Sequence, residues 1–534
     1  MRGFLVSSIG VTCAAALALP LTPPAAAANT PAPVNAAAVA AHPATIHPAT
    51  IHPATTRTAK ARTVTAGTAR TTARPARPAE VSGSTQSLPL RPLVSDRALG
   101  PAGEQGLSRR DVRRFSLVGV VWDDPDAELH GRVQVRTRAA DTGAWSGWQD
   151  VETHNTEHAA DPDTAERSSG RVRGATAPLW VGDSDGVEVR VRADGETRTP
   201  AAEETTRTAR TTSGSHTATA ASPLPTGLRL ELVDPGEEPP APRADTAPQD
   251  TAPQDTVVHE TTVRNLAPTA DPAKAKALAA MDAMNVMDAS VVNAELSAPL
   301  GATEIPALGR GATERELSAL RVGELSQTRR VKPYIGPRPG IVTRRGWGAN
   351  ETLRERKFVY TKKVKAAFVH HTASGNGYRC AQAPSVIRGI YRYHVKSMGW
   401  RDIGYNFLVD KCGKIYEGRA GGVAKPVLGA HTLGFNSNSM GIAVLGTFGS
   451  AKPPGAAVKA VARLTAWKLG LYGANPRGKT YLKSGGGNLY RKGKNVRLNV
   501  ISGHRDGFAT ACPGWQLYRK LGSARTTAAR YQGR

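Results

Sequence analysis

Tracts rich in Ala, Thr, Pro and Arg interrupt this 534-residue chain and limit where it can bury a core. One tract begins a five-residue repeat at His42, and another repeats Thr-Ala-Pro-Gln-Asp from Thr246. Segments of this composition bury too little apolar surface to offset the entropy lost on folding. We therefore expect disordered linkers at residues 29–109 and 237–336, the second with some local helix.

The N-terminus has the pattern of a secretory signal peptide. Met1 and Arg2 precede an apolar stretch at residues 4–21, and four alanines follow at residues 25–28. A membrane anchor is the alternative, but the stretch contains Ser, Gly and Pro and is shorter than the roughly 20 apolar residues that span a bilayer. We expect residues 1–28 to be a signal peptide and the protein to be secreted, extracellular or associated with the cell wall.

The basic charge of the chain is concentrated in its C-terminal part. From Arg338 onward there are 35 Lys and Arg residues against 6 Asp and Glu, whereas the rest of the chain has 35 against 38. An excess of this size attracts polyanions. Because an exported protein rarely meets nucleic acid, we expect anionic cell-wall polymers as partners and no specific nucleic-acid target. We also expect a monomer, with a basic tail at residues 523–534.

Residues 110–236 carry the pattern of β-strands. Apolar and polar residues alternate, as in half-buried strands, at residues 115–122, 132–137, 186–191 and 227–233. This predicts a small all-β, sandwich-like accessory domain. Trp145 and Trp148 are interpreted as core residues beside a turn, with a sugar-stacking surface as the alternative.

Residues 337–522 alternate between strand and helix patterns. Strands are predicted at residues 364–369, 405–409, 414–417 and 440–445, and helices are predicted from about residues 385 and 456. This order predicts an α/β domain with a mixed central β-sheet flanked by helices.

The cysteines predict one disulfide and one thiol with another role. Cys13 would be lost with the signal peptide, which leaves three cysteines in an oxidising compartment. A bond between Cys380 and Cys412 would close a loop of about 32 residues and contribute about 3 kcal/mol to stability. Cys512 would then remain unpaired.

Cys512 follows His504 by eight residues, and a thiolate and an imidazole are both good zinc ligands. A catalytic zinc typically takes three ligands from the protein. His370 and His371 end a predicted strand, where a side chain can point into a cleft. Either of them could supply the third ligand.

Six short blocks in the C-terminal domain share one family pattern. They read Phe-Val-His-His-Thr-Ala-Ser at 368–374, Gly-Trp-Arg-Asp-Ile-Gly-Tyr-Asn-Phe-Leu-Val at 399–409, Gly-Lys-Ile-Tyr-Glu-Gly-Arg at 413–419, Gly-Ala-His at 429–431, Asn-Ser-Asn-Ser-Met-Gly-Ile at 436–442, and Gly-His-Arg-Asp with Ala-Cys-Pro-Gly at 503–506 and 511–514. In this order, they resemble the blocks of peptidoglycan recognition proteins and type 2 zinc-dependent N-acetylmuramoyl-L-alanine amidases.

The resemblance implies a zinc site (Zn²⁺) held by His370, His504 and Cys512, with His370 favoured over His371. It also implies catalytic roles for Tyr405 and Thr510 and substrate contacts from His431, Arg419 and Asn436. The expected activity is hydrolysis of the amide bond between N-acetylmuramic acid and L-alanine in peptidoglycan. The alternative is a noncatalytic peptidoglycan-binding protein with the same fold.

A Gly-, Lys- and Arg-rich insertion near residues 473–497 departs from the family pattern. Two interpretations are open: a solvated loop, or a basic arm that binds anionic wall polymers.

Overall fold

The structure, a computed structural model of the chain, describes residues 83–93, 104–194, 223–237, 289–296, 298–320 and 333–534. The expected signal peptide and the repeats that begin at His42 and Thr246 lie outside these residues. Within the described ranges, none of the helices has the length and apolar character that crossing a bilayer requires.

The N-terminal domain is built from antiparallel strands, with one short 3-10 helix at Arg167–Ser169. They are β1 (Ser84–Pro89), β2 (Arg91–Pro92), β3 (Glu104–Trp122), β4 (Gly131–Ala139), β5 (Gln149–Val151), β6 (Gly174–Ala175), β7 (Leu179–Ala193) and β8 (Arg229–Asp234). They form one continuous sheet in the order β1-β8-β3-β7-β4-β5, with β2 and β6 paired to β3. The four alternating runs fall in β3, β4, β7 and β8, and the expected all-β domain is confirmed.

This domain extends beyond the predicted boundaries of residues 110–236. Strand β1 pairs along its length with β8, although it lies in the segment expected to be the linker 29–109. Its six residues carry too few apolar side chains to predict a strand locally, and the pairing with β8 supplies the missing hydrogen bonds.

The C-terminal domain has the expected mixed sheet with flanking helices. Its strands are β9 (Glu304–Ile305), β10 (Ile341–Val342), β11 (Ala366–His371), β12 (Phe407–Val409), β13 (Ile415–Glu417), β14 (Ser439–Val444), β15 (Lys479–Lys483), β16 (Asn495–Asn499) and β17 (Ile501–Gly503). Its helices are α1 (Ala289–Val292), α2 (Arg310–Leu320), α3 (Ala383–Arg392), α4 (Gly455–Leu471), α5 (Trp515–Tyr518) and α6 (Leu521–Gln532).

The main sheet has the order β17-β11-β14-β12-β13-β10-β9. Strands β17, β11, β14 and β12 run parallel to one another. Strands β11 and β14 are buried at every residue, as expected for parallel strands covered on both faces. A disulfide joins Cys380 to Cys412, which confirms the predicted pairing.

The segment expected to be the linker 237–336 belongs in part to this domain. Strand β9 adds an edge to the sheet, and Leu296, Ile305 and Leu317 are buried in the main hydrophobic cluster. The prediction of a linker was wrong for these residues, because their apolar side chains are too widely spaced to show the periodicity of a helix or a strand.

The buried position of Ile305 gives a test of this assignment. Ile305→Ala is expected to lower the free energy of unfolding by about 2 to 4 kcal/mol, because it removes buried methyl groups and leaves a cavity. Urea unfolding followed by fluorescence measures the change. Leu300→Ala is the matched control, since that side chain is 61% exposed; equal losses in both variants would contradict the assignment.

One other C-terminal prediction needs correction, and the basic insertion can be described. The residues expected to be a basic tail, 523–534, mostly belong to helix α6, which packs against α4 and buries Ala524 and Ala528. The basic insertion contains the hairpin β15–β16, whose Leu482 and Val496 pack on Phe368. It is therefore a packed hairpin with exposed basic residues rather than a solvated loop.

The two domains share a hydrophobic cluster. Leu117 and Val121 of β3 are fully buried together with Ile387 and Ile390 of helix α3. The other face of β3 lines the core of its own domain, which explains why residues 117–122 are all buried. Gly119 permits this close packing, since a Cβ there would lie 2.4 Å from the hydroxyl oxygen of Tyr393.

Candidate functional site

Two neighbouring parallel strands bring the predicted histidines together. His370 lies near the end of β11, and His504 directly follows β17. The two strands pair in parallel, so their carboxyl ends meet at one edge of the sheet, where α/β folds place their sites. The two imidazole ring centroids are 4.6 Å apart.

Cys512 completes the predicted trio. Its Sγ lies 3.8 Å from Nδ1 of His370. The loop is held in place by a hydrogen bond from the backbone N–H of Arg505 to the carbonyl of Cys512, at 3.0 Å. The structure therefore brings together the three residues that the family resemblance implied as zinc ligands.

A fourth donor, which the sequence did not predict, comes from the N-terminal domain. His158 lies in the connection between β5 and β6, and its Nε2 is 3.2 Å from Nδ1 of His504 and 3.5 Å from Sγ of Cys512. One donor atom from each of His158, His370, His504 and Cys512 lies within 4.8 Å of the others, and all four residues are buried.

The separations of three donor pairs fit the edges of a tetrahedral zinc site, and every pair lies within 4.8 Å. Zn–N bonds of about 2.0 Å and Zn–S bonds of about 2.3 Å give N–N edges of about 3.3 Å and N–S edges of about 3.6 Å. The observed separations are 3.2 Å for nitrogen to nitrogen, and 3.5 and 3.8 Å for nitrogen to sulfur. Three imidazoles and a thiol are also the donor types that zinc prefers.

The protonation states of the cluster suit a metal. Burial lowers the pKa of His158 to about 3 and holds the pKa values of His370 and His504 well below the ordinary value, so the rings are neutral and offer lone pairs. Burial raises the pKa of the Cys512 thiol. A bound cation would reverse that shift by stabilising the thiolate.

Neighbouring polar side chains support the orientation of the His370 ring. Its Nε2 lies 3.4 Å from Oγ1 of Thr432, which is 3.0 Å from Nδ1 of His431. His431, which was predicted to contact substrate, is fully buried and packs on Gly441, where a Cβ would lie 2.4 Å from its Cγ. Its direct contact with a substrate stays a prediction.

His371, the alternative zinc ligand, is outside the cluster. Its Nδ1 accepts a hydrogen bond from the backbone N–H of Phe448 at 3.3 Å.

Tyr405 is at the site: its ring centroid lies 5.6 Å from that of His370 and 6.0 Å from that of His158. Burial raises the pKa of Tyr405, so the phenol keeps its proton.

The other predicted site residues are paired with the connection between β5 and β6, residues 152–173, which we call the β5–β6 loop. Arg419 donates two hydrogen bonds to the carboxylate of Glu166, at 2.8 and 2.9 Å. Thr510 donates to Glu157 at 2.6 Å. Asn436 donates to Asp161 at 2.7 Å and to the carbonyl of Ala159 at 2.8 Å.

Sequence reasoning therefore missed the contribution of the β5–β6 loop. Its four site residues are His158, Glu157, Asp161 and Glu166, and none of them lies in a recognisable motif. One signal was available: the predicted strands leave residues 138–185 unassigned, and connections longer than about 15 residues in a compact domain are usually either functional or disordered.

Trp145 and Trp148 lie outside the core, contrary to the favoured interpretation. Each is partly exposed and packs against arginine: Arg109 lies 4.9 Å from the Trp145 ring centroid, and Arg190 lies 4.1 Å from that of Trp148. These are cation–π distances, so each ring contacts a charged side chain.

Comparison with known families matches both domains. The family model described as N-acetylmuramoyl-L-alanine amidase matches residues 360–515, and the model described as Rv3811 N-terminal galactose-binding domain-like matches residues 53–217. The first match contains His370, His504 and Cys512, and the second contains His158.

Individual relatives resemble about a third of the chain or less. Peptidoglycan-recognition protein SC2 of Drosophila melanogaster is 30% identical over 181 residues, 34% of this chain and 84% of that protein. The N-acetylmuramoyl-L-alanine amidase of Homo sapiens is 38% identical over 128 residues, 23% of this chain and 21% of that protein. A solved structure of peptidoglycan recognition protein-LE in complex with tracheal cytotoxin is 30% identical, with a TM-score of 0.27, and the match covers 34% of this chain and 92% of that one.

Proposed function

Because the chain belongs to the family of peptidoglycan recognition proteins and N-acetylmuramoyl-L-alanine amidases, we propose that it is a zinc-dependent amidase that cleaves between N-acetylmuramic acid and L-alanine in peptidoglycan. The observation that carries the proposal is the convergence of His370, His504 and Cys512 at the carboxyl edge of the sheet. A zinc ion held there would supply Lewis-acid polarisation of the amide carbonyl and activation of a water molecule.

The chain's own residues would bind and orient the substrate. Tyr405 keeps its proton and can donate a hydrogen bond to the oxygen that becomes negative during amide hydrolysis, a contact typically worth about 10² to 10³ in rate. Arg419 can bind a carboxylate of the stem peptide, since its guanidinium already holds a carboxylate in two-point geometry. Thr510 and Asn436, whose side chains contact the β5–β6 loop, offer further hydrogen bonds.

The location we propose is outside the cytoplasm, at or near the cell wall. The disulfide between Cys380 and Cys412 supports this, because such bonds persist mainly in oxidising compartments. The net positive charge of residues 338–534 supports attraction to anionic wall polymers. We propose that the protein acts there as a monomer.

A noncatalytic peptidoglycan-binding protein is the second candidate. Four protein donors around one metal are typical of a structural zinc site, whereas a catalytic site keeps one position open. The presence of His158 in the cluster is the observation that favours this candidate.

Product analysis separates the two candidates. The full-length protein and its His158→Ala variant, both loaded with zinc, are incubated with insoluble peptidoglycan, and the soluble products are identified by mass spectrometry. The amidase proposal predicts that the soluble products are stem peptides with a free L-alanine amino group and that no new reducing sugar ends form. Binding to peptidoglycan without release by either protein would favour the noncatalytic candidate.

A further inference from the structure

We infer that the β5–β6 loop is an internal inhibitor: His158 is the fourth ligand of the metal site, and the loop occupies the substrate cleft of the full-length chain. The claim that the loop inhibits rests on the proposed amidase function. Its coordination part concerns only the metal site and can be tested without any enzymatic activity.

The first argument is the closed donor set. His370, His504 and Cys512 alone would leave a fourth position of a tetrahedral zinc for water, as catalytic sites do. Nε2 of His158 approaches both Nδ1 of His504 and Sγ of Cys512 at ligand-to-ligand distances. With all four donors bound, no position remains for a water molecule or an amide carbonyl.

The second argument is that the loop engages the polar groups that a substrate would need. Glu157, Asp161 and Glu166 pair with the side chains of Thr510, Asn436 and Arg419, respectively. The Arg419–Glu166 pair is shielded from solvent, with each side chain 5% exposed. A stem peptide also presents carboxylates, so the loop competes for the same hydrogen-bond donors.

The third argument is charge complementarity. Residues 152–166 contain five acidic residues and no Lys or Arg, whereas residues 338–534 carry a large basic excess. Outside the cleft, a carboxylate oxygen of Asp163 forms a further ion pair, at 2.7 Å from Nζ of Lys492. Residues 152–166 are thus the acidic counterpart of the basic surface that an anionic wall polymer would approach, whereas the last seven residues of the loop contain Arg167, Arg171 and Arg173.

The fourth argument is that the loop is held on both sides of the cleft. Its ends continue into β5 and β6 of the N-terminal sheet. Within it, the backbone N–H of Leu433 donates to the carbonyl of Glu157 at 2.9 Å, and the backbone N–H of Arg173 donates to the carbonyl of Met398 at 3.0 Å. These contacts hold the loop against the C-terminal domain in the closed arrangement.

The coordination part is tested with Co²⁺ in place of zinc, because the absorption spectrum of cobalt reports its ligands. The full-length chain is expected to give a four-coordinate spectrum that millimolar azide does not change. His158→Ala is expected to give a shifted spectrum that responds to azide and returns towards the original when imidazole is added. His158→Gln, which preserves more side-chain volume, covers the case in which the alanine variant does not fold.

The matched control is His154→Ala, which alters an exposed histidine four residues away in the same loop. It should leave the cobalt spectrum and its insensitivity to azide unchanged. An azide response of the full-length chain equal to that of His158→Ala would overturn the inference. So would identical spectra for the full-length chain and both His158 variants.

The inhibition part is tested by the rate of stem-peptide release. His158→Ala combined with Glu166→Gln is expected to release stems at least about tenfold faster than the full-length chain, because the metal position becomes accessible and Arg419 loses its ionic partner. Equal rates would overturn inhibition by the loop. If no variant releases stems but azide distinguishes the cobalt spectra, the amidase proposal fails while His158 remains established as a ligand.

Discussion

Replacing Cys512 by Ala in a chain that already carries His158→Ala is expected to abolish zinc binding and stem-peptide release. Only His370 and His504 would remain as ligands, too few for a stable site. Loss of a metal that stabilises the transition state by several kcal/mol lowers the rate by at least about 10³-fold. Zinc content by elemental analysis and product release by mass spectrometry check the two effects.

The same substitution in the otherwise unaltered chain should behave differently. Cys512→Ala would leave three imidazoles, from His158, His370 and His504, which still form a competent zinc site. Zinc should therefore be retained, with weaker affinity. His371→Gln in the His158→Ala background is the control, and it should keep its zinc because His371 lies outside the cluster. The ligand assignment would be contradicted if that control lost its zinc while the variant with both His158→Ala and Cys512→Ala kept it.

The largest expected loss of stability follows from Arg344→Met. This arginine is 1% exposed and is paired with Glu351 at 2.7 Å and Asp402 at 3.1 Å. Removing it leaves the buried carboxylate of Asp402 without its ion-pair partner, whereas Glu351 keeps its second arginine, Arg354. Breaking a buried ion pair typically costs about 3 to 5 kcal/mol. Urea unfolding monitored by tryptophan fluorescence should show the decrease, since Trp347 lies in the same region.

Arg345→Met provides the comparison for that measurement. The side chain is adjacent in sequence but exposed, so its replacement should change the free energy of unfolding by no more than about 0.5 kcal/mol. A similar effect of both substitutions would show that charge alone, rather than the buried pairing of Arg344, determines stability.

The sequence could predict those parts of the fold and site that repeat a local pattern. Strand β11 is an apolar run that ends in His370 and His371, and the family blocks place His504 and Cys512 beside it. Each of these residues lies in a short motif, and parallel strand pairing brings the motifs to one edge. The C-terminal sheet and three of the four clustered donors could therefore be predicted before the structure was known.

The fourth donor could not be predicted, because its meaning depends on the packing of one domain on another. His158 is separated from His504 by 346 residues and lies in a loop without periodicity. Its position is set by Leu117 and Val121, whose burial against helix α3 aligns the two domains. No local pattern reports such a contact. The same limit applies to Ile305, whose partners in the hydrophobic cluster are distant in sequence.

The order of the four donors along the chain has a consequence for biosynthesis. A ribosome produces His158 first, then His370, and finally His504 and Cys512, and N-terminal domains generally fold first. The three donors of the C-terminal domain are thus complete only after the N-terminal sheet has been made. At no stage of translation does the nascent polypeptide contain those three donors without His158.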